Sequence, residues 1–589
     1  MSALRFPKAS VIVAASLFAA ACGGGGGGGS SVPPTPPVSG GGGGSGGGGS
    51  APPAEPSSKI DSEVEASRFL ARATFGGSKS EIASLNGGDA ADWLASEFSK
   101  STTLTMPELL AQPRNPDGRL DYFRIDELYW DHIVTANDQL RQRMAFALSQ
   151  ILVYSDVADD DQPTRAYYQD IMIRNAFGNY RDLLEEVTYS PAMGQWLTYL
   201  RNRKGDPGAG RMPDENYARE ILQLFSIGLI ELNMDGTPKL DAQGQQVETY
   251  TNDDIEGLAR VFTGLSFAGG DFWDDPQDGP INPMEMYPEH HSELAKSFLG
   301  TTIPEGTSGT ESIDRALDTI FEHPNVAPFV SRQLIQRFTQ SDPSPAYVGR
   351  VSNAFETGRY TAAGGRTFGN GQRGDLQATL AAVLLDDSTF LDEPSGGTVL
   401  SGKVREPILR FTHWARAFDV SGVDAGNERR LRNTRSSENA LGQQAFRSPS
   451  VFNFYRPGYV APGTNAGDRN ITVPEFQIVN ESSSVGYLNF MTDFAFDRAS
   501  QRDRDIATYT PDYGDELALV DDPTALVDHL DSLLTGGRMA AAEKADIVDI
   551  ISTVEIRTNS PENTATDQED MVQTAVALGL NSPSYAVTW

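Results

Sequence analysis

The chain predicts a mainly α fold: a single large irregular helical domain with a small β-hairpin excursion, preceded by a signal peptide and a disordered tether. Three observations predict it. Apolar residues recur at helical spacing from Ile60 onward. Strand-like alternation is sparse. Low-complexity Gly, Pro and Ser runs are confined to the first 58 residues. The expected divisions are a signal peptide at 1–21, a lipidated Cys22 with its tether at 22–58, and an acidic helical domain at 59–589.

The first element is an address. Arg5 and Lys8 form a positive head, and Val11 to Ala21 is an apolar run, too short to cross a bilayer core of about 30 Å. Ala19, Ala20 and Ala21 then precede Cys22. The segment resembles a lipobox, the site at which bacterial lipoproteins are cleaved and diacylated on Cys, although Ala19 stands where Leu is usual. Cys22 is therefore the expected lipidation site and membrane anchor. Gly23, rather than Asp, after Cys22 is similar to the sorting pattern of outer-membrane lipoproteins, which implies an outer-membrane or cell-surface position. A periplasmic or secreted protein is the alternative. The Gly/Pro/Ser run at 23–58 can bury no core and reaches about 120 Å when extended.

The helices follow in order. LRQRMAFALSQILVY carries Met144, Leu148, Ile151 and Leu152 on one stripe, with Arg141 and Arg143 off it. DENYAREILQLFSIGL opens at a capping Asp214 and repeats Tyr217, Ile221, Leu224 and Phe225 at helical spacing. TNDDIEGLARVFTGL places Thr251 and Asp254 as a capping box, and Glu256 and Arg260 at pairing distance. Further helices are expected at 311–322, 326–340, 345–356, 375–386, 404–419 and 524–534. In 232–250, the dipeptides Asp235-Gly236 and Gln243-Gly244 divide short β-prone pieces, which reads as the hairpin excursion. The Gly/Arg-rich 357–374 and the polar 425–445 read as surface loops.

Charge and composition exclude several classes. A net charge of −33 repels phosphate backbones and points away from nucleic acid. A lone Cys forbids an internal disulfide, thiolate zinc, iron–sulfur clusters and covalent c-type haem. GNGQRG at 369–374 fits a dinucleotide fingerprint in letters only. A loop precedes it instead of a strand, so it reads as a turn with Asp375 capping the next helix. The residues name no cofactor and no metal site.

Two segments carry chemistry. Asn216, Glu220 and Gln223 fall at i, i+4 and i+7, a polar stripe that reads either as a solvated face or as a pocket lining, with Arg219 beside it. His290 and His291 lie between Glu289 and Glu293, with Lys296 following. Of the other histidines, His323 reads as a helix C-terminal residue and His413 as core. The candidate polar centre is thus Asn216, Arg219, Glu220, His290, His291 and Lys296. Glu220 is expected to be buried and paired, with Arg219, Arg260, a metal or His290 as the partner.

The ordered segments PDENYAREILQLFSIGL, YTNDDIEGLARVFTGLSF, HHSELAKSFLG, NVAPFVSRQLIQRF, GDLQATLAAVLLDD and FRSPSVFNFYRPGY resemble the bacterial family catalogued as domain of unknown function 1800. The resemblance runs from about Ser67 to about Ser584. It implies an exported, mostly helical protein. It also implies a possible secreted partner from the family catalogued as domain of unknown function 1501, which resembles sulfatases and alkaline phosphatases. One departure stands out. Many members carry a Trp-His-Asn-His-Phe type segment where this chain reads FALSQILVY, with Ser149 and Gln150 and no His. Two functions follow as expectations: an accessory or scaffold protein of the cell surface acting with a secreted partner or an envelope polymer, or an envelope enzyme, a hydrolase, with a Glu/His/Asn polar centre.

Overall fold

The structure is a computed structural model that describes residues 58–157, 161–276, 280–390, 402–420, 430–499, 506–507 and 509–588. The expected signal peptide, Cys22 and residues 23–57 lie outside the described residues. From Ser58 onward the chain forms one compact unit. Ser58 itself, read from sequence as the last tether residue, is buried and donates from Oγ to Asp89 at 2.9 Å.

α-Helix dominates, and sheet among the described residues is confined to five two-stranded antiparallel pairs. The centre is the helix Gln139–Ser149, buried along its whole length. It packs against Ala90–Phe98, Arg124–Thr135, Gln162–Asn175 and Val326–Phe338. The one-sided stripe expected here is corrected: Arg141 and Arg143 are buried as well. Neighbours on every side leave no face for water. Arg143 accordingly donates to the carbonyl of Arg337 and lies over the Phe338 ring at 4.5 Å. The helix Pro407–Ala417 is likewise buried throughout.

The helix expected to begin at Asp214 begins at Asn216, and Asp214 Oδ1 accepts from the Asn216 N–H at 2.8 Å. The Thr251/Asp254 box forms: the Asp254 carboxylate accepts from the Thr251 N–H at 2.7 Å and its hydroxyl at 2.8 Å. The expected helices appear as Gly309–Glu322, Val326–Phe338, Pro345–Thr357, Leu376–Leu384, Pro407–Ala417 and Pro523–Leu530. The hairpin excursion is held by single bridges, Ile230 to Glu248, Leu232 to Pro238 and Leu240 to Gln246. Gly236 and Gly244 both turn at φ +77, a conformation that disfavours residues with a Cβ.

Two loop expectations change. The 357–374 segment contains a small antiparallel pair, Tyr360–Thr361 with Thr367–Phe368. In the 425–445 segment the described part, 430–445, is surface only in part: Asn433, Arg435, Ser437, Glu438 and Asn439 are exposed, whereas Thr434, Gln443 and Gln444 are buried. Their polarity suits the interior because buried charges receive it, as described below. Long-range contacts close the body. Ser67 in the first described helix, Glu63–Ala73, donates to the Leu533 carbonyl at 3.0 Å. The strand Val587–Thr588 pairs with Lys403–Val404.

Candidate functional site

The six residues of the expected polar centre find separate partners. Asn216 is half-buried and reaches Thr198 Oγ1 at 3.5 Å. Arg219 turns outward to Glu215 at 3.4 Å. Glu220 is 7% exposed, and its carboxylate has no hydrogen bond or ion pair among the described residues. Burial raises its pKa, with Arg219 opposing. The expectation of a buried Glu220 is met and that of a paired one is corrected. Arg219, next in sequence, points away from the face on which Glu220 lies.

His290 stacks on Phe272 with ring centroids 3.8 Å apart. His291 is buried, and its Nδ1 donates to the Thr263 carbonyl at 2.8 Å, which leaves Nε2 unprotonated in the neutral ring. Burial lowers its pKa. Lys296 is fully buried and donates to the Leu294 carbonyl at 3.2 Å; burial, and secondarily Arg260, lower its pKa. Among the described residues no hydrogen bond or ion pair joins the helix residues to the histidines or to Lys296. His323 caps the helix Gly309–Glu322, and His413 is fully buried, accepting from Arg405 at 2.7 Å. Asp375 caps the helix Leu376–Leu384 through the Ala378 N–H, as expected for the glycine-rich turn.

A different cluster lies at the centre of the fold. The helix Pro407–Ala417 starts at Glu406, which is fully buried. Burial alone would raise its pKa. Lys403, Arg143 and Arg337 outweigh burial and hold the carboxyl below the ordinary glutamate range. Glu406 Oε2 accepts from Gln150 Nε2 at 2.6 Å and from Gln443 Nε2 at 2.5 Å. Burial pulls Arg143 down to about 10, with Glu406 pushing the other way. Lys403 also pairs with buried Glu475.

Beside this carboxylate lies a small cavity of about 10 Å³, room for roughly one water. Its polar lining is Ser149, Gln150, Tyr154, Gln443, Ser448 and Asn453. Its apolar lining is Phe146, Val153, Ala445, Phe446 and Phe454. Only Phe454 among these is partly exposed, which places the mouth there. Gln150 Oε1 and Asn453 Nδ2 are buried without a partner. Phe446 at φ +59 and Asn453 at φ +61 are left-handed; Asn tolerates this, whereas Phe rarely does. The Phe446 carbonyl accepts from the Asp156 N–H at 2.9 Å, which helps hold the strained residue.

Behind Phe446 two carboxylates and two guanidiniums interlock. Arg165 reaches Asp126 at 2.7 Å and Asp156 at 3.0 Å, and Arg447 reaches them at 3.3 and 3.1 Å. Gln444 donates to Asp126 at 2.9 Å. This square anchors the segment that carries Phe446 and Ser448.

Sequence reading did not single out the pocket as a site. Its two walls come from FALSQILVY and from 443–454, the latter reaching into FRSPSVFNFYRPGY, and they lie about 300 residues apart in the chain. The available signal was composition: amides and hydroxyls set among aromatic residues in both segments. Ser149 and Gln150, noted as departures from the histidine-bearing pattern, are lining residues.

A family model described as "Protein of unknown function (DUF1800)" matches residues 68–587. No curated protein and no solved structure matches the chain.

Proposed function

We propose, for a chain that belongs to the DUF1800 family, that it is an exported lipoprotein of the cell envelope that captures an uncharged polar group of an envelope polymer. The observation that carries the reading is the pocket chemistry. Amides, hydroxyls and aromatic rings line it, and no carboxylate, imidazole, ammonium or guanidinium is among its lining residues. Charged ligands would find no counter-charge on that wall, whereas a neutral group the size of a water or a hydroxyl finds donors and acceptors.

The geometry favours capture over turnover. General acid–base catalysis needs a titratable group within reach of the reacting atom. Glu406 is kept ionised behind two amides that cover its Oε2, so it supports the wall. In this proposal Cys22 carries the lipid anchor and residues 23–57 the tether. The sulfatase-like partner implied by the family resemblance would then act on polymer held near the surface.

The test is sedimentation of the full chain with purified insoluble envelope polysaccharide at rising salt. Binding that persists as salt increases supports an uncharged contact. Absence of binding, or binding that salt abolishes, sinks the reading. Fractionation of a Cys22→Ser variant tests the anchor separately: it should leave the membrane pellet. Retention there after a salt wash would refute lipid anchoring.

A further inference from the structure

Trp273 is an exposed aromatic residue on a loop built to hold it still. Its neighbour Phe272 fills the interior position, 3% exposed and stacked on His290, whereas Trp273 is 54% exposed. Arg201 staples the loop backbone. Its Nε donates to the Phe272 carbonyl at 3.1 Å, and its Nη2 donates to the Trp273 and Asp274 carbonyls, both at 2.9 Å, and to Asp275 at 2.8 Å. The Asp271 N–H donates to Asp274 at 3.1 Å, and the Tyr287 hydroxyl donates to the Phe267 and Gly270 carbonyls. A ring that served only the core would turn inward. One held outward on a braced loop loses little freedom when a ligand lies on it. Arg203 sets its guanidinium over the indole, 5.0 Å from the ring centre, and has no carboxylate partner among the described residues. Its N–H donors remain available beside the ring. Asp271 and Asp274 on the same loop are exposed, and so is Glu289, next to the His290 ring that lies 6.1 Å from the indole.

Resting on the polymer-capture reading above, we propose that Trp273 is a second contact for that polymer: a stacking platform for an uncharged hexopyranose whose substituents are all equatorial. Such a sugar turns only C–H groups toward the indole, where dispersion holds them. Its hydroxyls then lie along the rim, with Arg203 as donor and Asp274 and Glu289 as acceptors. An axial hydroxyl would hold the sugar off the ring. An anionic sugar or an anionic lipid surface would meet the exposed carboxylates of Asp271, Asp274 and Glu289. A protein partner would want a broader apolar centre than one indole inside a charged rim. The platform needs no cavity, because the contact is a face laid on a face.

The experiment titrates the full chain with a β-1,4-linked glucose hexamer and with the same hexamer oxidised to the carboxylate at the sixth carbon. Calorimetry reads affinity, and tryptophan emission reads cover over the indole. The neutral hexamer should bind more tightly than the carboxylated one and shift the emission to shorter wavelength. Trp273→Ala should weaken the neutral hexamer by about tenfold or more. Its melting temperature should stay unchanged, because the ring stands outside the core. Trp273→Phe, which keeps an aromatic face, should recover part of the affinity. No binding of the neutral hexamer by the unmodified chain overturns the platform, and so does unchanged affinity in Trp273→Ala. Equal or tighter binding of the carboxylated hexamer overturns the uncharged sugar. Sedimentation with the insoluble polysaccharide separates this inference from the reading beneath it. If the unmodified chain and Trp273→Ala sediment equally, the platform falls and polymer capture stands. If neither sediments, both fall.

Discussion

At the residue scale, Glu406 decides most. It is a fully buried carboxylate whose cost of burial is met by Lys403, Arg143, Arg337 and two amide donors. Breaking a buried ionic set is far more costly than never building it. Glu406→Gln leaves Arg143 and Arg337 without that counter-charge, while Lys403 keeps its pair with Glu475, and should lose about 3–5 kcal/mol of stability at neutral pH, measured by urea unfolding. A loss within error of zero would show that the cations neutralise one another through other partners. The sign with pH follows from the direction of the shift. The folded carboxyl holds its proton less tightly than the unfolded one. Its contribution is therefore present above about pH 4.3, the ordinary glutamate value, and is lost as pH falls through the lowered folded value. Stability of the unmodified chain should fall more steeply below that pH than stability of the variant.

At the element scale, packing overrides helix propensity. Gly257 lies in the middle of the helix Asn252–Val261, where Ala would ordinarily gain about 1 kcal/mol. This helix presses on the strand Lys296–Phe298, and a Cβ at 257 would overlap the Ser297 carbonyl group. The colliding atoms are backbone and cannot swing aside. Gly257→Ala should therefore destabilise the protein by about 1–3 kcal/mol, and a rise in melting temperature would refute the close approach. Asp375 gives a complementary case. It is 5% exposed and accepts from the Ala378 N–H at 2.8 Å and from the Asn370 N–H at 3.0 Å. Asp375→Ala should cost about 1–2 kcal/mol in thermal unfolding, because it removes a cap and frees the glycine turn together. No loss would mean that the turn holds without it.

At the scale of the whole molecule, distant ends of the body are tied to its middle. Tyr585 is fully buried, donates to the Arg410 carbonyl at 2.6 Å and lies under Arg405 at 4.4 Å. The next residues pair with Lys403–Val404, immediately before Glu406. A chain ending at Asn581 should lose about 3–5 kcal/mol from the missing aromatic alone. Hydrogen exchange should rise in the helix Pro407–Ala417, which Tyr585 contacts. Protection unchanged there would show that the C-terminal segment is an appendage. No helix among the described residues is long and apolar enough to cross a membrane.

The helical class, the positions of most helices and caps, and the family resemblance are legible in the order of residues alone. Each depends on neighbours within a few turns or on order along the chain: Thr251 meets Asp254 because three residues separate them. Which polar residues face inward, and which of them meet, follows from how distant segments pack. Arg143 has a nonstripe position in sequence, yet neighbouring helices enclose it from every side. Gln443 sits in a polar stretch that reads as surface, yet its partner is Glu406, 37 residues away. Gln150 and Asn453, about 300 positions apart, share a pocket wall that no local pattern could announce. Periodicity reports which face a residue occupies on its own helix. It does not report what another part of the chain lays against that face, and the buried charges of this protein are answered from there.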